Sequence, residues 1–382
     1  MFAALAAHGH TYPLIPLAVA ARQAGHDVVF ATGEQFLPGL RAAGLEAVPA
    51  GMSIGEAFAG LMSNTTVPQD LDRRTGEVFG DVLPRRWVTD MAPLVEVHRP
   101  DLMIYEAVTL GAGLAGVLAG IPVLAHGFGR MSPSAMFEAT VDAFTAFAAE
   151  LGSADVPLSA PFIDVCPESV QSKHFLEQAD RIPLRPVGWN EPGELPSGVR
   201  ERDRSRPLVY LTLGTAFAGV DVLKQAIEGL AVLAVDVLVA AGPAVDLAAL
   251  GEVAPNVRLE AWVPQADLLP YVDLVVHHGG SGTMLGAFSA GLPQLLLPQG
   301  ADQFTNAEAV LDAGAGFRLL PAELSRDAVT DKVQALLADE AVHAAVGRLA
   351  DEVAAMPSPE DVAAGLPSGH PVRDSRPSAR WL

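Results

Sequence analysis

Short runs rich in β-branched residues and leucine recur along this chain, each followed by a stretch with helical spacing of apolar residues. That rhythm limits the fold more than any other feature, because strand–helix–strand alternation builds parallel sheets covered by helices. In the first half, strands are expected over residues 2–6, 27–32, 102–105 and 122–125, with a helix over 14–24 that Gly25 ends. The first strand is short for a buried parallel strand, as expected if the natural start lies a few residues upstream. Residues 191–206 are polar and rich in Pro and Gly, the composition of an interdomain linker. The alternation then restarts, with strands over 208–213, 237–241, 257–259, 274–277 and 294–297. Helices are expected over 220–233, 284–290, 303–313, 326–338 and 342–355. Ser358-Pro359-Glu360-Asp361 opens one more helix, with a cap residue, Pro at the first position and acids in the first turn.

The expected organisation is therefore α/β: a Rossmann-like domain over 1–190, a linker over 191–206 and a second Rossmann-like domain over 207–356. A C-terminal helix and tail, 357–382, would pack back on the first domain. A ligand site is expected where the strand ends of the two halves face each other.

Composition removes several function classes. The chain has 382 residues, half of them hydrophobic, and 45 Asp+Glu against 24 Lys+Arg give a net charge of −21. Such apolar content is incompatible with a disordered chain, and the charge argues against nucleic-acid and anionic-membrane surfaces. The single Cys166 cannot form an internal disulfide and reads as a small core residue. The N-terminus lacks a basic leader, so no secretion signal is expected. Residues 107–125 carry no charge, but five glycine and proline positions among them favour a buried helix and strand over a membrane span. A cytoplasmic protein is expected.

The strongest local signal is Val275-Val276-His277-His278-Gly279-Gly280-Ser281-Gly282-Thr283. A buried strand runs into a glycine-rich turn and then a helix, whose first backbone N–H groups form an anion cradle. Ser281 and Thr283 add hydroxyls, and an imidazole at the strand end can bond a phosphate oxygen. A tight strand–helix turn with structural histidines is the plainer alternative. Further on, Asp302-Gln303 sets a carboxylate beside a carboxamide, a pair suited to adjacent hydroxyls of a polyol, or simply a capped helix start. Trp262 could stack on a planar base or fill a core. His10 lies between the first strand and the first helix, where a helix N-terminus keeps an imidazole neutral and able to act as a base. Glu106 closes the strand 102–105 and could orient that ring.

Other patterns carry less. Gly111, Gly113 and Gly116 match a dinucleotide-binding spacing but sit inside a helix, where close packing accounts for them better. Asp70 and Asp72 sit beside Arg73 and Arg74 in a polar loop, so no metal site is expected.

Together these segments resemble GT-B glycosyltransferases, most closely the actinobacterial natural-product enzymes that use dTDP-deoxysugars, with some likeness to enediyne-pathway members. The resemblance runs through HGHTYP, PDLMIYE, LTLGT, WVPQ, HHGGSGT and PQGADQFTN, nearly the whole chain. It implies two Rossmann-like domains facing across a cleft and inverting transfer of a deoxysugar to a hydroxyl. His10 would be the general base and Glu106, where the family usually has Asp, its partner. Gly214 and Thr215 follow the LTL strand at the donor site. Trp262 and Val263 would hold the base, and His277, favoured over His278, would meet the diphosphate with Gly279, Gly280, Ser281, Gly282 and Thr283. Asp302 and Gln303 would bind sugar hydroxyls.

UDP-sugar members place a Glu eight residues after the first His of the motif; here that residue is Leu285, which fits a dTDP donor. Phe58, Phe79, Trp87, Met91, Phe128, Met131 and Phe137 are the expected apolar surface for a hydrophobic polyketide or aromatic acceptor. No cofactor is expected beyond the dTDP-sugar co-substrate; the protein would act without nucleic acid or membrane and could form a homodimer. The alternatives are a nucleotide-sugar 2-epimerase of the same architecture and a non-catalytic small-molecule-binding homologue.

Overall fold

In the computed structural model, residues 1–63, 71–153, 157–215, 219–243 and 245–367 are described. They form two units, one comprising described residues of 1–187 with 357–367 and the other those of 188–356.

The first unit is built on a 7-stranded parallel sheet of order β3-β2-β1-β4-β5-β6-β7. Its strands are β1 (Phe2–Ala3), β2 (Val29–Thr32), β3 (Glu46–Pro49), β4 (Met103–Glu106), β5 (Val123–His126), β6 (Phe162–Asp164) and β7 (Arg181–Pro183). The second unit holds a 6-stranded parallel sheet of order β10-β9-β8-β11-β12-β13. There the strands are β8 (Leu208–Thr212), β9 (Asp236–Ala240), β10 (Val257–Glu260), β11 (Leu274–His277), β12 (Gln294–Leu296) and β13 (Gly316–Arg318). Strands β2, β4, β8 and β11 are buried along their whole length. Burial on both faces is why they read as continuous apolar runs rather than alternating ones.

In each sheet the winding reverses once, between β1 and β4 and between β8 and β11. At such a switch point the loops leaving two neighbouring strands diverge and open a crevice at the carboxyl edge. His10 follows β1 and Glu106 ends β4; Gly214 follows β8 and His278 follows β11. These four residues therefore collect at the switch points of their units.

Strands β3, β6, β7 and β13 and the helices Leu83–His98 and Ala135–Glu150 go beyond the sequence expectation. β3 and β7 are edge strands, exposed or half-buried over most of their length, and β6 has only 3 residues. The glycines of the dinucleotide-like spacing serve packing. A Cβ at Gly111 would come 2.3 Å from the Pro84 carbonyl oxygen, and one at Gly113 would lie 2.8 Å from the Tyr105 ring.

Segment 191–206 is tied to the second unit. Arg202 donates to the Tyr271 carbonyl and pairs with Asp273 at 2.6 Å, and Val199 is buried. The C-terminal helix Pro359–Ala364 belongs to the first unit, where it packs on the helix Ile15–Gln23. Ser358 and Asp361 cap its start reciprocally. Cys166 is fully buried, and among the described residues no helix is long and apolar enough to cross a membrane.

Candidate active site

In the first unit, β1 leads through Ala4–Ala7 into the helical segments His8–Thr11, Tyr12–Leu14 and Ile15–Gln23. The turn is fixed from both sides: the Leu5 N–H donates to Thr109 Oγ1 at 3.1 Å, and the Thr11 hydroxyl donates to the Leu5 carbonyl at 2.8 Å. His10 is thereby held with its Nδ1 3.3 Å from Oε1 of the fully buried Glu106. The carboxylate is itself anchored, since Oε1 accepts from the Val108 N–H at 3.0 Å and Oε2 from the Thr109 hydroxyl at 2.8 Å. The extra methylene of Glu relative to Asp does not carry it past the ring. With Nδ1 facing the carboxylate, Nε2 is the nitrogen available to take a proton. The Phe128 ring lies 4.8 Å from the imidazole, centroid to centroid.

A second imidazole at this corner was not singled out in the sequence. His126 ends β5, in register with Glu106, and is fully buried. Its Nδ1 donates to the Gly127 carbonyl at 2.7 Å, while Nε2 is buried with no hydrogen-bond partner. Burial pushes its pKa down to about 4, against the opposing pull of the Gly127 hydrogen bond and the Glu106 charge.

The acceptor-surface expectation divides. Trp87 and Met91 are 1% and 0% exposed within the core of the first unit and so offer no surface to a ligand, a correction to the sequence reading. Their helix Leu83–His98 places them one turn apart on its inward face. Phe58, Phe79, Met131 and Phe137 are partly buried on the rim of the same core, and Phe128 touches His10. Asp72 lies in a helix, and Asp70 lies outside the described residues. Among the described residues no three His, Cys, Asp or Glu side chains converge as a metal site would require.

In the second unit, β11 runs into Gly279 at φ +96° and then into the helix Ser281–Ser289, whose N-cap Gly280 supplies no side-chain cap. The first N–H groups of that helix have no intrahelical partner and point at the space before it. A Cβ placed on Gly282 would meet nothing within 4 Å, so the first turn of the helix is open to solvent there.

The two histidines of the motif have different fates. His277 is fully buried; Nε2 lies 2.9 Å from Gln294 Oε1, and Nδ1 accepts from the Gly279 N–H at 3.1 Å. Both nitrogens are committed within the protein, which overturns the preference for His277 as the phosphate donor. His278 packs its ring between two glycines: a Cβ on Gly214 or on Gly280 would come within 2.5 Å of it. Its Nδ1 has no hydrogen-bond partner. Burial lowers the pKa of His277 to about 3 and that of His278 to about 4, so both rings are neutral near neutrality.

The hydroxyls are also spoken for. Ser281 donates to Asp302 Oδ2 at 3.0 Å and Thr283 donates to Gln265 Oε1 at 3.1 Å. Asp302 stands at the start of the helix Gln303–Asp312 but makes no side-chain cap, so the plain helix-cap reading does not account for it. It follows Ala301, whose φ of +52° is rare for a residue with a Cβ. Gln303 is 2% exposed, and its Oε1 accepts from the N–H groups of Gln299 and Gly300 at 2.8 and 3.2 Å. Its carboxamide is therefore left with only donors for a ligand. Trp262 is 44% exposed, whereas the Val263 side chain is buried in the core. Leu285 is buried and presents no polar group. Thr215, beyond Gly214, is half-buried at the carboxyl edge of β8.

Two Rossmann-type sheets, one with an imidazole–carboxylate pair at its switch point and the other with a glycine-rich turn opening a helix, define the GT-B class of glycosyltransferase. Thymidine diphosphate-bound SsfS6, a glycosyltransferase of Streptomyces sp. SF2575, has 30% sequence identity and a TM-score of 0.79, covering 95% of this chain and 97% of that one. The chain belongs to the erythromycin biosynthesis protein CIII-like family, matching its N-terminal domain over residues 19–214 and its C-terminal domain over residues 225–368. It is 35% identical over 379 residues to L-demethylnoviosyl transferase of Streptomyces niveus, covering 94% of each chain. It is 34% identical over 384 residues to the elloramycin glycosyltransferase ElmGT of Streptomyces olivaceus, again covering 94% of each. It is thus a glycosyltransferase of the natural-product type.

Proposed function

We propose that this enzyme moves a deoxysugar from a dTDP-sugar to a hydroxyl of a hydrophobic polyketide or aromatic natural product, with inversion and without a metal or cofactor. The His10–Glu106 pair carries this reading: an imidazole 3.3 Å from a buried, anchored carboxylate is built to accept a proton and keep it. The acceptor oxygen attacks the anomeric carbon on the face opposite the diphosphate and loses its proton to His10 Nε2. The bond from the anomeric carbon to the diphosphate oxygen breaks as the new one forms, and dTDP leaves with the electron pair. One displacement inverts the centre. Glu106 offsets the charge of the imidazolium until the proton passes to solvent.

The departing diphosphate needs positive potential, and lysine occurs only at Lys173, Lys224 and Lys332, outside these motifs. The hydroxyl protons of Ser281 and Thr283 point into the protein, so the backbone N–H groups at the start of the helix Ser281–Ser289 are assigned the diphosphate, with the His278 imidazole beside them. Trp262 is assigned the thymine. The apolar Leu285 rewards no ribose 2′-hydroxyl and so favours a deoxyribose donor. The thymidine diphosphate bound in SsfS6 supports the same donor.

The test is a pair of calorimetric titrations with dTDP and UDP, alongside turnover of dTDP-sugars with hydroxylated polycyclic acceptors in the presence of chelator. Preference for dTDP, and product of inverted configuration formed despite chelator, is expected. Equal affinity for UDP would remove the donor assignment. Restoration by Mg²⁺ of activity lost to chelator would remove the metal-free step.

A further inference from the structure

Asn306 is fully buried, four residues after Asp302 on the helix Gln303–Asp312, and it has no place in the chemistry above. Its Nδ2 lies 2.9 Å from the Gly279 carbonyl, 3.0 Å from Asp302 Oδ2 and 3.1 Å from Ser281 Oγ. One amide thus bridges the phosphate turn and the carboxylate assigned to the sugar. Its own Oδ1 is buried with no hydrogen-bond partner, a cost that a residue serving only to fill a core would not carry.

We propose that Asn306 is a positioning residue that locks Asp302 to the Gly279–Ser281 turn, so that the diphosphate and the sugar of the donor are gripped at a fixed separation. Asp302 Oδ2 is occupied by the Ser281 hydroxyl and the Asn306 amide, which turns Oδ1 into the oxygen for a sugar hydroxyl. Asp302 gives up capping its own helix and is preceded by a left-handed alanine, so the local backbone does not fix its direction; the amide does. Helix periodicity makes this possible, because positions i and i+4 stand on one face. The inference rests on the donor reading given above.

Affinities for dTDP and for dTDP-glucose, measured by calorimetry, separate the two ideas. The readout is the ratio of the two dissociation constants in the parent, Asn306→Ala, Asp302→Ala and the double variant, with melting temperatures recorded for each. Asn306→Ala is expected to weaken dTDP-glucose about tenfold and dTDP less than about threefold. In the Asp302→Ala background it should change the ratio no further, as for residues acting as one unit. If Asn306→Ala does not fold, Asn306→Ser, which keeps one donor, should give an intermediate ratio. An unchanged ratio, or losses that multiply in the double variant, would overturn the role of Asn306 while leaving the donor reading intact. A parent protein that binds neither compound would overturn both.

Discussion

His126 gives a sharp test of the first unit, because its cost can be worked out. Its ring is fully buried beside Glu106, and burial holds its pKa at about 4 against an ordinary 6.5. Between those values the unfolded chain binds a proton that the folded protein refuses, so stability falls as pH falls. The contribution is complete above pH 6.5 and is lost down to about pH 4. From about pH 7 to about pH 5.5 the linkage relation gives a loss of about 1 kcal/mol for this ring. His277 and His278 are depressed in the same direction, to about 3 and about 4. Three such rings sum to a few kcal/mol, a large share of the 5–15 kcal/mol typical of a folded protein. Asp164, whose carboxyl is pushed up by burial, works in the opposite sense, so the clean measurement is a difference between variants. His126→Asn keeps a donor for the Gly127 carbonyl and cannot titrate. Urea unfolding followed by circular dichroism at the two pH values should show the variant losing about 1 kcal/mol less than the parent. Equal losses in the two proteins would refute a neutral buried His126.

Three further outcomes are expected. Glu106→Gln should slow transfer about 10²-fold or more with dTDP affinity unchanged by calorimetry, because the lost charge acts only on the protonated ring. Trp87→Ala should cost about 3–5 kcal/mol in chemical denaturation, as for a core aromatic, whereas Phe128→Ala should chiefly raise the acceptor KM. Gly282→Val should leave the melting temperature near that of the parent, since its side chain projects into open space, yet weaken dTDP at least about tenfold by covering the helix N–H groups.

The sequence showed the architecture where burial is two-sided. Strands such as β8 and β11 are apolar throughout, and their loops carry glycines that the turn at Gly279 and the ring of His278 demand. Edge strands β3 and β7 left little trace because their residues are largely exposed or half-buried. Within the site, motif position named the loops but not the directions of side chains. His277 and His278 are adjacent in sequence, yet one ring turns into the core toward Gln294 and the other toward Gly214. Gln303 was read only as the carboxamide beside Asp302, and the N–H groups of its own loop take up its oxygen. Asn306 could have been found from its spacing of four from Asp302 at a helix start, whereas the state of His126 depends on burial, which no local pattern reports.

The first unit is discontinuous in sequence: its final helix, with the fully buried Ala363, is separated from the rest by the whole of residues 188–356. The ribosome therefore releases a first unit that lacks one of its own pieces until the second has been synthesised. The Arg185 N–H waits for the Pro357 carbonyl, 2.7 Å away in the finished protein. The same arrangement governs chimaeras between relatives. A single crossover near residue 188 pairs an N-terminal unit with a foreign closing helix, so exchanging the second unit cleanly takes two crossovers, the second near residue 356.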